Sequence, residues 1–299
     1  MGRIIRELQN GRVLVSDGAW GTFLHKKGLK PGDCPELWNI DRSDDVLDIA
    51  QSYIRAGADL IETNSFGGSR FKLANYGLGD RVFEINRAAA MISRQAAGKS
   101  CFVLGSVGPT GKMLIMEDVT EAELYDSFKE QCMALEAGGA DAIVVETMSD
   151  LEEARLAVRA ASEITACEVF CTMTFSRTVE GEFRTMMGIS PSEMTEVLLV
   201  AGASVIGANC GNGIADMIGI VKEIRQVNQF VPILVQANAG MPYFSDGETI
   251  FPESPVDMAG RVIEIIKAGA TIIGGCCGTT PDHIYEIYRV VKSFNGTNK

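Results

Sequence analysis

Histidine is scarce in this 299-residue chain, and a cluster of basic residues is absent. The chain has only two histidines, His25 and His283, so few residues are available for catalysis or metal binding by imidazole. The formal charge is −12, whereas binding to a phosphate backbone requires clustered Lys and Arg. We therefore expect no nucleic-acid partner.

Long apolar runs are also missing. Hydrophobic residues make up 46% of the chain, which is ample for a core, but Gly, Ser and Ala interrupt every run before the roughly 18–20 residues of a membrane span. The N-terminal stretch MGRIIRELQNGR lacks the apolar segment and cleavage site of a signal peptide. These features predict a cytoplasmic protein that does not bind a membrane.

Cysteine, by contrast, is plentiful, with eight in the chain. A cytoplasmic location disfavours a disulfide framework, so the thiols are core residues, metal ligands or catalysts. We interpret Cys132, Cys167 and Cys171 as core residues. The adjacent pair Cys276 and Cys277, within GGCCG, has four possible roles: core residues, a vicinal disulfide, a nucleophile with its partner, or metal ligands.

Eight short apolar runs predict β-strands, and amphipathic helical patterns fall between them. A glycine that ends a helix and precedes a strand recurs in four related segments: RAGADLIET, AGGADAIVVET, VAGASVIGAN and KAGATIIGG. Together they predict a single-domain (β/α)₈ TIM barrel over residues 1–299, with an open doubly wound sheet as the alternative. The predicted strands are 12–19, 59–66, 101–109, 141–148, 168–175, 205–211, 233–240 and 271–278.

Barrel chemistry lies where the strands end. No lysine falls within the predicted strands, which disfavours a Schiff-base mechanism, and Lys112 lies in a loop. The polar and thiol residues at the predicted strand ends are Asp17, Glu62, Thr63, Asn64, Ser106, Glu146, Thr147, Thr172, Thr174, Asn209, Cys210, Asn238, Cys276 and Cys277.

Three of these strand-end residues suggest a metal site. Cys210 ends strand six, and Cys276 and Cys277 end strand eight, about 10 Å away at about 4.8 Å per strand. Thiolates in tetrahedral geometry favour zinc, and three protein ligands are the catalytic pattern. Asn238, on the intervening strand, is a candidate fourth ligand when no substrate is bound.

Adjacent residues of a regular strand point to opposite faces, so Cys276 and Cys277 share one ion only if the backbone leaves strand geometry. We expect neighbouring glycines to allow this departure. They are Gly274, Gly275 and Gly278 near the pair, and Gly211 and Gly213 after Cys210.

Five motifs in order resemble the homocysteine S-methyltransferase family: DGAWGT, ADLIETNSFGG, VVETM, GANCG and GGCCGTTPDH. The chain looks most like the N-terminal homocysteine module of the cobalamin-dependent methionine synthases. The resemblance implies a zinc-containing (β/α)₈ barrel that methylates the sulfur of L-homocysteine to give methionine. It also implies that Cys210, Cys276 and Cys277 are the zinc ligands.

The amino-acid part of the substrate needs its own contacts. Glu146 is expected to bind the ammonium group, and the turn at Asp17 and Gly18 is expected to offer backbone amides to the carboxylate; the resemblance supports both assignments. Thr63 and Asn64 are further candidates for substrate binding. The alternative is that they only satisfy neighbouring loops.

The methyl donor is less constrained. The sequence contains no Asp-x-His-x-x-Gly cobalamin motif, so we expect the donor to be a methylated corrinoid that is free or is supplied by a separate corrinoid protein. S-methylmethionine, S-adenosylmethionine and betaine are alternative donors, and a non-catalytic zinc-binding scaffold is an alternative of another class. Two methionine-rich loops are candidate docking sites for the corrinoid protein, with Met113, Met116, Met186 and Met187.

Overall fold

Eight parallel strands form the centre of the molecule. The computed structural model describes residues 2–245 and 248–297. The extreme ends of the predicted domain 1–299 lie outside these residues, as does part of the segment 241–255, for which the sequence predicts a long loop. The strands are β1 Leu14–Val15, β2 Leu60–Glu62, β3 Phe102–Val107, β4 Ala142–Met148, β5 Glu168–Met173, β6 Val205–Gly213, β7 Ile233–Asn238 and β8 Ile272–Gly275.

These strands close into a barrel. Each pairs in parallel with the next along the chain from β2 to β8, and β8 pairs with β1. A parallel bridge between Ser16 and Leu60 joins β1 to β2. The predicted (β/α)₈ barrel is confirmed, and the open doubly wound alternative is wrong.

Helices follow the strands and surround the barrel. The described residues form α1 Arg3–Gln9, α2 Trp20–Lys26, α3 Trp38–Asp41, α4 Ser43–Arg55, α5 Arg70–Ala74, α6 Val82–Ala97, α7 Glu121–Ala137, α8 Leu151–Ile164, α9 Pro191–Ala201, α10 Ile214–Val227, α11 Pro255–Ala259, α12 Val262–Ala268 and α13 Pro281–Thr297. Short 3₁₀ turns occupy Pro35–Leu37, Gly79–Arg81 and Leu114–Met116. No helix of this described part is long and apolar enough to cross a membrane.

The helix boundaries follow local chemistry. α7 and α9 each begin at a capping box, formed by Thr120 with Glu123 and by Ser190 with Glu193. The repeat glycines that end helices have the expected positive φ, at Gly57, Gly139, Gly202 and Gly269. The amphipathic pattern of residues 255–269 predicts a single helix, but the structure has two, α11 and α12, with a break at Gly260, a residue of low helix propensity.

Two small hairpins extend the loops after the strands, and sequence patterns did not predict them. Ser176–Arg177 pairs with Phe183–Arg184 after β5, and Tyr243–Ser245 pairs with Glu248–Ile250 after β7. Both lie on the face of the barrel where the strands end, and they enlarge the surface around its mouth.

The barrel interior is filled at the end where the strands begin. Ile4 and Leu8 of α1 pack there against inward side chains such as Leu60, Phe170 and Leu234. Glu168 holds the helix in place by accepting hydrogen bonds from the backbone amides at positions 4 and 5, at 3.2 and 3.1 Å. A second apolar layer separates the strands from the outer helices. We therefore expect a ligand to bind at the other end of the barrel, where the strands end.

Replacing Ile4 with Ala should destabilise the fold by about 2–4 kcal/mol, because a fully buried side chain is removed from the base of the barrel. Urea unfolding followed by circular dichroism measures the change. Ile5→Ala is the matched control, since the neighbouring Ile5 is only partly buried, and it should cost less. Equal destabilisation by the two variants would contradict the view that α1 closes the barrel.

Candidate metal and amino-acid site

A cavity of about 280 Å³ opens where the strands end. Among the described residues, no Lys, Arg or His lines it. Its walls include three predicted metal ligands and four predicted substrate-binding residues, as well as several residues with no predicted role. The residues that matter below are Gly18, Trp20, Glu62, Thr63, Asn64, Ser106, Glu146, Thr147, Asn209, Cys210, Gln236, Cys276 and Cys277.

Three thiols meet at one side of the cavity. The Sγ atoms of Cys210, Cys276 and Cys277 all lie within 4.8 Å of one another, and those of Cys210 and Cys277 are 3.9 Å apart. All three are free thiols, so the vicinal pair forms no disulfide. Cys132 and Cys171 are buried in the core, as expected.

The backbone departs from strand geometry at these cysteines. Cys210 has a φ of 58° and Gly211 one of 70°, both in the left-handed region. After β8 ends, the amide of Thr279 donates to the Cys276 carbonyl at 3.1 Å, and Gly278 has a φ of 80°. This tight turn places adjacent cysteines on the same side, as the sequence required.

Three of the expected glycines have a different role. Gly213, Gly274 and Gly275 do not have positive φ; they provide space. A Cβ at position 274 would lie 2.7 Å from the Ser16 Cβ, and one at 275 would lie 2.4 Å from the Thr279 Oγ1. The expectation of backbone freedom at these positions is wrong, because close packing against β1 and the turn requires a residue without a side chain.

Hydrogen bonds within the cluster favour one thiolate. Bonds from Cys276 and then Cys277 lower the pKa of Cys210 to about 3. The hydrogen bond to Cys210 raises the pKa of Cys276. The cluster therefore stabilises negative charge on sulfur.

Asn238, at the end of β7, completes the surroundings of the cluster. Its side chain hydrogen-bonds Cys210, while its Oδ1 is buried with no hydrogen-bond partner among the described residues. An unpartnered buried oxygen is costly and calls for a partner. Three sulfurs and one amide oxygen match the ligand number and softness of a zinc site.

Glu146 lies across the cavity as a buried carboxylate. Ser106 Oγ donates to its Oε1 at 2.5 Å, and Thr147 Oγ1 and Asn209 Nδ2 donate to its Oε2, both at 3.3 Å. Burial raises the pKa of Glu146 to about 7. A cationic group bound here would favour the ionised form.

Asp17 supports the wall of the cavity and does not line it. Its Oδ2 accepts hydrogen bonds from the Trp20 indole at 2.8 Å and from the Glu62 amide at 2.9 Å. The residue is fully buried, and burial raises the pKa of its carboxyl to about 7. The position of Asp17 at a strand end also suggests that its carboxyl group contacts the substrate, but the structure places this side chain behind Trp20 and β2.

Glu62, named above only as a strand-end residue, pairs on the cavity wall with Gln236, which the sequence analysis did not identify. Gln236 Nε2 donates to Glu62 Oε1 at 2.6 Å, and burial followed by the charge of Glu146 raises the pKa of Glu62. The Oε1 of Gln236 is buried without a partner in the described residues. A glutamine inside the apolar run ILVQANAG was the signal, because polar residues inside a buried strand need a reason.

The weaker candidates have structural partners. Thr63 Oγ1 pairs with Ser65 Oγ at 2.6 Å, and Asn64 Nδ2 donates to the Pro35 carbonyl at 2.8 Å. Both also line the cavity. Their hydrogen bonds fit the alternative that they satisfy neighbouring loops.

Gly18 lines the cavity just before α2, and a Cβ there would lie 2.7 Å from Thr279 Oγ1.

The two histidines do not line the cavity. His25 is exposed on α2, and the buried His283, in the first turn of α13, forms hydrogen bonds with Thr280 and with the Glu253 carbonyl. Lys112 pairs with Asp118 at 3.2 Å.

Comparison with known proteins shows the family of this chain. The family model described as homocysteine S-methyltransferase matches residues 14–291. The chain belongs to the homocysteine S-methyltransferase family of enzymes. It is 31% identical over 298 residues to methionine synthase of Mycobacterium leprae and 32% identical over 294 residues to that of Mycobacterium tuberculosis. These matches cover 95% and 94% of this chain but 25% of each synthase, so the chain spans about a quarter of their length.

Solved structures agree on the fold. The metallated form of the homocysteine methyltransferase MmuM from Escherichia coli matches with a TM-score of 0.78 at 21% identity, over 95% of this chain and 99% of that one. A dihydrodipicolinate synthase from Agrobacterium tumefaciens matches at a TM-score of 0.53 and 14% identity, over 96% and 77% of the two chains.

The raised pKa of Glu146 predicts a pH dependence of stability. Because the folded-state pKa of about 7 exceeds the ordinary glutamate pKa of 4.5, the folded protein binds more protons between these values. The unfolding free energy of the metal-free protein should therefore fall as pH rises from about 4.5 to 7. Glu146→Gln should make this fall smaller, whereas Glu180→Gln, at an exposed carboxylate, should not. Urea unfolding across this pH range provides the test, and an unchanged slope in Glu146→Gln would contradict the assignment.

Proposed function

We propose that this protein transfers a methyl group to the thiol of L-homocysteine, giving methionine, at a zinc site of three cysteines. The observation that carries the proposal is one cavity with a thiol cluster on one side and a buried carboxylate on the other. Homocysteine has a thiol at one end and an ammonium group at the other, so it matches both sides.

The thiol end would be held at the cysteine cluster. Cys210, Cys276 and Cys277 would bind zinc, with the Asn238 oxygen as fourth ligand until the substrate sulfur replaces it. Zinc, when bound, favours loss of the proton from a coordinated thiol, which gives the nucleophilic thiolate at neutral pH. In the reaction, a bond forms between the substrate sulfur and the methyl carbon while the bond from that carbon to the donor breaks.

The amino-acid end would be held across the cavity. Glu146 is already oriented by Ser106, Thr147 and Asn209, so its carboxylate can pair with the ammonium group without reorganisation. Backbone amides of the turn at Asp17 and Gly18 would bind the carboxylate, since Gly18 lines the cavity. Glu146 disfavours the non-catalytic scaffold, because a scaffold has no need of an ammonium-binding carboxylate beside its metal.

A methylated corrinoid, protein-bound or free, is the proposed donor. The similarity to methionine synthases supports it, as do exposed apolar side chains on the loops around the cavity mouth. Met113, Met116, Met186 and Met187 are 40%, 69%, 84% and 36% exposed. S-methylmethionine, S-adenosylmethionine and betaine remain the alternative donors.

Removal of a cluster thiol should abolish metal binding. Cys276→Ala and Cys277→Ala should each lose zinc, because two sulfurs and a neutral amide hold it poorly. The wild-type protein should bind about one zinc per chain and release a proton when L-homocysteine is added. Elemental analysis and titration in weak buffer measure both quantities.

Cys167→Ala is the matched control for this experiment. Cys167 lies outside the cavity, and its thiol donates to the Ala140 carbonyl at 3.4 Å, so the variant should keep its zinc. Full zinc content and activity in both cluster variants would refute the site.

Replacing the four loop methionines with serine should raise the apparent KM for a methylated corrinoid protein by about tenfold, because exposed apolar anchors dominate docking energy. The KM for L-homocysteine should not change. Steady-state kinetics with methylated corrinoid protein, free methylcobalamin, S-methylmethionine, S-adenosylmethionine and betaine identify the donor. Met91→Ser with Met133→Ser, two exposed methionines on α6 and α7, is the control. Turnover with S-methylmethionine alone would overturn the corrinoid assignment.

A further inference from the structure

Asn209 connects the two sides of the cavity. It directly precedes Cys210 in β6 and is 1% exposed. Its Oδ1 accepts hydrogen bonds from the Thr147 amide and from Thr172 Oγ1, both at 2.8 Å. Its Nδ2 donates to Thr147 Oγ1 at 2.7 Å and to Glu146 Oε2 at 3.3 Å. The four hydrogen bonds available to an amide side chain are therefore all made.

The segments that this side chain joins are both strained. Thr147 and Cys210 have φ values of 59° and 58°, which are rare for residues other than glycine. Both β4 and β6 change register at these points, and such irregularities redirect side chains. Asn209 bonds both the backbone and the hydroxyl of Thr147, so it stabilises the backbone that directs Glu146.

We propose that Asn209 is the positioning residue that fixes Glu146 relative to the thiol-binding cluster, so that tight binding of a thiol requires an amino group at the homocysteine distance. This inference rests on the proposed function. The main chain of Asn209 continues into Cys210 while its side chain holds Glu146, so one buried residue spans both subsites. Although Asn209 lines the cavity, its amide already makes four hydrogen bonds within the protein, so we infer that it acts through these neighbours.

The binding of two ligands distinguishes a positioning role of Asn209 from a general structural role. L-Homocysteine and γ-mercaptobutyrate, which is homocysteine without its amino group, are titrated by calorimetry into zinc-loaded protein. Asn209→Asp keeps the size of the side chain but places a carboxylate oxygen against Glu146. It should weaken homocysteine binding by about tenfold or more, while γ-mercaptobutyrate binding should change by less than about threefold. A purely structural defect would weaken both ligands alike.

Asn212→Asp is the matched control. Asn212 is also buried, lies in β6 beyond Cys210, and donates to the Phe175 carbonyl at 2.7 Å without contacting Glu146. The ratio of the two dissociation constants should therefore stay at its wild-type value. In a Glu146→Gln background, Asn209→Asp should not change the ratio further, because residues that act through one contact are not additive.

The outcomes are distinct. If Asn209→Asp does not fold or loses zinc, the same two titrations are made with Asn209→Ser. This variant removes the amide without adding charge, and it should also weaken homocysteine binding more than γ-mercaptobutyrate binding. Equal weakening of both ligands, or an unchanged ratio, would overturn the role of Asn209 while leaving the proposed function in place. Failure of the wild-type zinc protein to bind L-homocysteine would overturn the proposed function and this inference with it.

Discussion

The site depends on a single backbone constraint: thiols from two strands that are not neighbours must face one point. β7 lies between β6 and β8 and pairs with both. The three sulfurs nevertheless lie within 4.8 Å of one another. This is possible because Cys210 adopts a left-handed conformation and the chain turns immediately after β8. Strain of this kind persists only where surrounding contacts determine it, and Asn209, Asn238 and Thr279 supply such contacts.

A second constraint is electrostatic. Glu62 and Glu146 line the cavity and Asp17 lies just behind them, with no basic residue among the described lining residues to neutralise them. Burial raises the pKa of each carboxyl group. A buried carboxylate is costly without a partner, so the cavity is well suited to a ligand that brings its own positive charge. Under the proposed function, the same argument favours an amino acid over a simple thiol as the ligand of this site.

Much of the fold was predictable because the patterns are local. The eight strands, the glycines that end helices and the helix Val82–Ala97 follow from periodicity and capping. The break between α11 and α12 and the two hairpins were missed, because tertiary contacts and short pairings decide them. The three cysteines could be selected from their positions at strand ends. The close packing that requires glycine at position 274 and the position of Asp17 behind Trp20 could not be predicted, since both depend on which side chains the closed barrel brings together.

The barrel separates stability from chemistry: α1 and the inward apolar residues close one end, while loops build the site at the other. The central claim is that the cysteine cluster holds zinc with one position that the substrate thiol takes. X-ray absorption at the zinc edge tests it most directly. We expect three sulfur ligands at about 2.3 Å and one oxygen ligand in the free protein, and four sulfur ligands after L-homocysteine is added. A sulfur count that does not change on addition of L-homocysteine would contradict it.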